Sequence, residues 1–152
     1  MEKFGFRKDL NRDELCVSNT QGIIFEECQN LGVDAIDYTT KFMHSRAAEE
    51  LDRMKPGVFS AGAAPLKQYI LRMIKPVKLY SSENHVSEEA LHWVGYVYRY
   101  WSYLLGTSSS EIVQTVPVDT ALQCYPAYHC MGNSEAISRM LRKSGGQADV
   151  LR

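Results

Sequence analysis

The sequence predicts a compact all-α domain of about six to eight helices, packed around one central aromatic helix at about 88–105. Three observations carry that expectation. From Ser87 to Gly106 the apolar residues fall into two helical rows, Leu91, Val94, Tyr98, Trp101, Leu105 and Ala90, Trp93, Val97, Tyr100, Leu104, the pattern of a helix covered on more than one side. Elsewhere, short apolar periods are separated by capping residues, Gly and Pro. Nowhere does an apolar–polar alternation run long enough to build a sheet.

The central helix is bounded by its own chemistry. Ser87 is a ready N-cap, Glu88 and Glu89 suit the positive end of the helix dipole, and Gly106 fits a left-handed C-cap. Its two Trp and four Tyr can each remove ~150–250 Å² from water, enough to anchor a small domain. Only the row His92, Gly95, Arg99, Ser102 stays partly polar.

Before it, residues 1–18 are read as an arm. Asn11 and Glu14 have the form of a capping box, but the run that follows is too short to choose between a helix, a brief strand and an extended segment. Ile24, Cys28 and Leu31 predict a helix over 20–31, ended by Gly32. Asp34 caps the next segment, with Ala35, Tyr38 and Phe42 inward, and Ser45 offers a second cap before Ala48 and Leu51. Residues 34–54 are therefore one long helix or two meeting near His44 and Ser45. Residues 55–65, rich in Gly, Ala and Pro, read as a loop. Pro65 is tolerated in a first turn, and Leu66, Tyr69, Ile70 and Met73 make an amphipathic helix that ends at Pro76.

After the central helix, Ser108 and Glu111 form a capping-box pattern ahead of Ile112, Val113 and Val116. Pro117 stops that helix, Asp119 caps a short turn through Leu122, and Tyr125-Pro126 is expected to break the chain. Asn133 is the expected cap of a last helix carrying Ile137, Met140 and Leu141, with 145–152 as a frayed tail. The 152 residues make one domain.

Charge and composition narrow the function classes. Lys and Arg (17) nearly balance Asp and Glu (18), so no overall field attracts nucleic acid or an anionic membrane. No apolar run approaches ~20 residues, and the N-terminus lacks the apolar core of a signal peptide; the expected location is cytoplasmic. In that compartment Cys16, Cys28, Cys124 and Cys130 are expected as free, buried or half-buried thiols. Cys124, His129 and Cys130 are poorly spaced for zinc, which draws its ligands in tight pairs, so no metal or cofactor is expected.

The case for catalysis is thin. Cys130 beside His129 sets a nucleophile next to a base, but sequence neighbours rarely reach in-line geometry. Glu49-Glu50 and Glu88-Glu89 diverge by ~100° per helical residue. Glycine-rich phosphate loops, HExxH and GxSxG are absent from the sequence. A helix-turn-helix reading of 108–122 lacks a Lys or Arg in its second helix to reach bases or phosphates.

Arg99 is the residue with the sharpest alternatives. Set among aromatics on a buried helix, it either makes an internal salt bridge or ring stack, or holds an acidic partner group together with Tyr96 or His92. His129, following Tyr128 in a Pro-containing connection, is either a hydrogen-bonded brace or a binding residue. Lys67, Arg72, Lys75 and Lys78 make 66–78 a loose basic cluster.

Two stretches together, ALHWVGYVYRYWSYLLGTSSSEIV (90–113) and CYPAYHCMGNSEAI (124–137), with KFMHSRAAEELDR (41–53), resemble a family of small helical bacterial proteins of antitoxin-like association. The family's pattern is W-I-G-Y-I-Y-R-Y-W, then S-S-K-E-I-Y, then Y-x-P-Y-H-T-L-D. Trp93, Gly95, Tyr96, Arg99, Tyr100, Trp101, Tyr128 and His129 are the matching positions. Pro126 stands one place early, Cys130 replaces Thr and Gly132 replaces Asp. The C-terminal part is similar to a domain encoded beside toxins of ADP-ribosyltransferase type.

The resemblance implies a non-catalytic antitoxin that binds and neutralises a partner toxin. Arg99, Tyr96, His92, Tyr128 and His129 are its candidate partner-binding residues. A DNA-binding transcriptional regulator is the alternative, and a small enzyme using His129 or a cysteine is the third reading.

Overall fold

The computed structural model describes residues 10–53 and 63–145. Among them the chain forms eight α-helices: α1 Arg12–Glu26, α2 Ala35–Met43, α3 Arg46–Asp52, α4 Ala63–Ile74, α5 Glu88–Leu105, α6 Ser109–Thr115, α7 Val118–Tyr128 and α8 Asn133–Ser144. Two short 3₁₀ turns, Cys28–Leu31 and Ser82–Asn84, join them. The all-α expectation holds; β structure among the described residues is one antiparallel bridge, Val33 with Leu79.

α5 is the central helix. Ser87 caps it by accepting the Ala90 N–H, and Gly106 ends it at φ 69° with its N–H donating to the Ser102 carbonyl. Leu91, Val97, Tyr98 and Arg99 are fully buried, and Trp101 is 2% exposed. Its main partner is α1, and the two approach closely at glycines. A Cβ on Gly95 would lie 2.8 Å from the Gln21 carbonyl oxygen and 3.1 Å from the Gly22 Cα. Phe25 fills the space beneath, edge-on to both Phe42 at 5.6 Å and Tyr98 at 6.4 Å, the arrangement aromatic quadrupoles favour.

α1 starts far earlier than the 20–31 reading, and residues 11–18 belong to it rather than to an arm. The capping box is complete: Asn11 Oδ1 accepts the Glu14 N–H, and Glu14 Oε1 accepts the Asn11 N–H. The buried face contains Ser18, Gln21 and Gly22 beside Val17, Ile24 and Phe25, so hydrophobic spacing underreports it. The helix ends at Glu26, and 28–31 tighten into a 3₁₀ turn closed by Gly32 at φ 82°.

Of the two readings for 34–54, the two-helix one is observed. Asp34 accepts the Asp37 N–H to cap α2, and Ser45 accepts the Ala48 N–H to cap α3. The loop expected over 55–65 falls largely outside the described residues; Ala63 and Pro65 already belong to the first turn of α4. The tail expectation from 146 lies outside them as well.

Three expectations near the C-terminus are corrected. Asp119 is not a cap: α7 begins at Val118 after Pro117 with no side-chain cap, and Asp119 lies in its first turn. Tyr125-Pro126 does not break the chain: Pro126 lies inside α7, in its last turn, where only the bond to the Leu122 carbonyl is forgone. The short helix expected through Leu122 therefore continues to Tyr128. α8 is capped by Gly132 rather than Asn133, with no side-chain capping bond. Asn133 already occupies the first helical position, because the 129–132 turn places the extended residue one step earlier.

The entry into α5 is held by an amide pairing. Gln29 Nε2 donates to the Val86 carbonyl and Gln29 Oε1 accepts the Val86 N–H, both at 2.9 Å. A glutamine side chain thereby takes the place of a neighbouring strand for one residue.

Candidate functional site

Arg99 is fully buried, and its guanidinium is engaged on every side. Nε donates to Gln21 Oε1 at 2.8 Å, Nη1 to Asp52 Oδ1 at 2.5 Å, and Nη2 to Ser109 Oγ at 2.8 Å. Asp52 closes the network: its Oδ2 accepts the Ser109 N–H at 2.9 Å, and its Oδ1 accepts the hydroxyls of Ser109 and Ser102. Gln21 is fixed in turn, Nε2 donating to the Gly95 carbonyl at 2.9 Å. The guanidinium carbon also stands 5.5 Å from the centre of the Tyr103 ring.

Both internal alternatives for Arg99, the salt bridge and the aromatic contact, are therefore realised. The guanidinium turns inward, and a direct grip on a partner's carboxylate is not available to it in this conformation. The arrangement ties four helices at one point, α1 through Gln21, α3 through Asp52, α5 through Arg99 and α6 through Ser109. It satisfies the requirement that a buried charge be paired and hydrogen-bonded. Asp52 also serves the α6 N-terminus, where a carboxylate meets free N–H groups and the positive end of the dipole. Burial pushes the Tyr103 hydroxyl up to about 12, against the lowering effect of Arg99, and that hydroxyl donates to the Leu51 carbonyl at 2.7 Å.

The other four candidates lie toward the surface. His92 donates from Nδ1 to Glu26 Oε1 at 2.7 Å across the α1–α5 contact. Its ring stacks on Tyr96 at 6.4 Å, and Tyr96 stacks on Tyr100 at 6.3 Å, making one ladder along α5. Tyr96 is half-buried and its hydroxyl is raised, first by burial and then by the neighbouring Tyr100. Tyr128 is half-buried and packs against the core. His129 is exposed, stacked on Tyr125 at 4.3 Å, and donates from Nδ1 to the Tyr125 carbonyl at 2.7 Å. Trp93 meets the same Tyr125 edge-on at 5.8 Å.

The structure thus brings His92 and Tyr96 together on α5, and places His129 on a second cluster with Tyr125 and Trp93. Arg99 is separate from both, inside the protein. Sequence reasoning missed Asp52, Gln21 and Ser109, which are the partners of Arg99. Asp52 sits in an ordinary helical pattern, and only the demand that Arg99 be paired pointed to some acid without naming it. Tyr125 was read as a chain break rather than as the platform under His129.

The sulfur chemistry divides by depth. Cys28 is fully buried and its thiol is pushed up to about 12 by burial, with Asp34 adding to the shift. Cys124 is buried and raised for the same first reason. Cys16 and Cys130 are exposed, against the expectation of buried or half-buried thiols, and all four are free. Because His129 Nδ1 carries the donated proton, a neutral ring turns its Nε2 lone pair to Cys130 Sγ, 3.4 Å away.

Among the described residues no three His, Cys, Asp or Glu side chains converge on a metal position. No described helix is long and apolar enough to cross a membrane. The second helix of the α6–α7 pair carries no Lys or Arg over Val118–Tyr128. Comparison with protein-family models, curated proteins and solved structures finds no match to this chain.

Proposed function

We propose that this chain is a non-catalytic protein-binding module, and that it acts as an antitoxin by direct binding to a partner toxin. The observation that supports this reading is the pair of ring clusters, His92–Tyr96–Tyr100, which is stacked, and Trp93–Tyr125–His129, which is edge-on at Trp93 and stacked at His129. Rings already held against one another lose little freedom when a partner covers them, and Tyr and Trp are enriched among the residues that dominate the energetics of protein contacts. The resemblance to antitoxin-like helical proteins supplies the kind of partner, a toxin of ADP-ribosyltransferase type. Occlusion of the toxin's active site or substrate groove by these rings is the mechanism that follows.

The test is affinity capture of the tagged protein from its own host, followed by co-expression with the captured partner. Recovery of one small enzyme at equal stoichiometry, whose toxicity co-expression suppresses, is the expected result. Tyr96→Ala and Tyr125→Ala together are expected to abolish that suppression while circular dichroism stays unchanged. Recovery of the protein alone, with or without DNA, overturns the reading.

A further inference from the structure

We infer that the open edge of the 76–79 segment, on the side away from the 31–33 turn, docks an extended acidic stretch of a partner protein, which adds as a strand along Leu79 and turns an apolar side chain toward the cleft bounded by that turn, the end of α4 and 76–79. This inference shares the requirement for a protein partner with the proposed function, but it uses none of the ring-cluster residues.

The cleft measures about 290 Å³ and is lined by apolar side chains from three segments, Leu31 and Val33, Leu71, and Val77 and Leu79, with Lys75 at its edge. Leu79 is 75% exposed, the highest value among the exposed large hydrophobic residues described. An isolated leucine at the surface means little. Here it belongs to a concave apolar lining, and its main chain carries the second observation.

Val33 and Leu79 are paired through their neighbours. The Asp34 N–H donates to the Lys78 carbonyl at 2.8 Å, and the Tyr80 N–H donates to the Gly32 carbonyl at 2.9 Å. In an antiparallel ladder this is the pair whose own N–H and C=O groups point away from one another. The N–H and C=O of Leu79 therefore face outward together and have no hydrogen-bond partner among the described residues. A donor and acceptor side by side on an open edge are the template for strand addition, in which main-chain bonds give affinity and alternate side chains enter pockets.

Charge selects the kind of strand. Lys75 lines the cleft, and Arg72 and Lys78 are exposed near it in the chain; none of the three has an ion pair among the described residues, although Lys78 acts electrostatically on Asp37. Lys41 reaches the same rim, donating to the Pro76 carbonyl at 2.7 Å. The nearby acids are already committed: Asp37 accepts from Lys41 and from the Lys78 N–H, and buried Asp34 accepts the Asp37 N–H. The rim thus offers unpaired positive charge around an apolar floor. A strand with apolar residues at alternate positions and Asp or Glu between them answers all three features. A lipid surface would meet the leucine and the lysines, but it cannot enter the cleft or match the paired main-chain groups.

The experiment selects binders to the full chain from a displayed library of random dodecapeptides, with a parallel arm using phosphatidylcholine–phosphatidylglycerol vesicles. Enrichment of peptides alternating apolar and acidic residues is expected. Their binding should weaken about ten-fold or more in Leu79→Pro, which removes the outward N–H, and in Lys75→Glu combined with Lys78→Glu. Leu79→Ala keeps the main chain and serves if the proline variant does not fold; it should weaken binding less. No enrichment, enrichment of peptides without acidic alternation, or binding indifferent to all three variants overturns the inference. Vesicle binding lost in the same variants, without any peptide binding, overturns it in favour of a membrane contact. Loss of toxin suppression in the Tyr96 and Tyr125 variants with cleft binding intact leaves this inference standing, so the two proposals fail separately.

Discussion

Replacing Gly95 by alanine tests how the two longest helices are fitted together. In an open helix Gly→Ala is stabilising by up to ~1 kcal/mol. At Gly95 the new methyl carbon would stand 2.8 Å from the Gln21 carbonyl oxygen, 2.9 Å from Phe25 Cγ and 3.1 Å from Gly22 Cα. Two of these neighbours are main-chain atoms of α1, so they retreat only if the helix itself moves, by ~0.6 Å to regain ordinary contact distance. Half the length of a 15-residue helix is about 11 Å, and over a width of ~10 Å that shift opens roughly 70 Å³. At ~24 cal/mol per Å³ the void costs ~1.6 kcal/mol. Stretching the Gln21–Gly95 hydrogen bond adds ~1 kcal/mol. Against the helix gain, a net loss of ~1.5–2 kcal/mol remains, a fall in Tm of about 3–8 °C for a chain of this size.

Thermal denaturation of the wild type, Gly95→Ala and Gly22→Ala by circular dichroism measures it. Gly22→Ala should cost less, because the three atoms nearest the methyl there all belong to the His92 ring, which can swing away and give up its bond to Glu26. An unchanged or raised Tm in Gly95→Ala would refute the close approach of α1 and α5. Equal losses in both variants would refute the distinction between main-chain and side-chain neighbours.

Four further outcomes follow from the same geometry. Arg99→Ala should destabilise the fold by ~3–5 kcal/mol, because it strands Asp52 among groups arranged for a guanidinium; denaturant titration checks it, and a well-folded Arg99→Ala protein would refute the internal network. Gly132→Asp should raise Tm by about 1–2 °C, since α8 has no side-chain cap, Glu135 already stands at the capping-box position, and nothing lies within 4 Å of a new Cβ. Iodoacetamide at neutral pH should modify Cys16 and Cys130 quickly and Cys28 only on unfolding, as read by mass spectrometry. The Cys28 thiol is raised from 9.0 to about 12, so the fold favours its protonated form. Its contribution to stability is full below about pH 9 and is lost as pH rises toward 12, and Cys28→Ala should reduce that alkaline loss.

The helices were legible wherever the chain states its own boundaries. Ser87 and Gly106, Asp34, Ser45 and Ser108 each bracket an apolar period, and each is a cap in the structure. α1 was harder because its inner face is built from Ser18, Gln21 and Gly22, polar or small residues that are buried only because α5 supplies their partners. Pro126 misled for a related reason: its effect depends on how near the helix end it falls, which local sequence does not state. Arg99 could be recognised as a residue needing a partner, but the partner lies 47 positions away on α3, and such pairings exist only once the helices have packed. The cleft at Leu79 was invisible apart from its lysines, since it depends on the bridge between 33 and 79.

The two tryptophans stand in unlike surroundings. Trp101 is sealed in the core at 2% exposure, while Trp93 is half-buried against Tyr125. The protein therefore contains two tryptophan fluorophores, one sensitive to the integrity of the whole fold and one to what touches the ring cluster. With excitation at the red edge, where the tyrosines do not absorb, Trp101→Phe would leave Trp93 as the single emitter at the proposed interface, and Trp93→Phe would leave a reporter of global unfolding alone. Partner docking and loss of structure could then be followed as separate optical signals without attaching any dye.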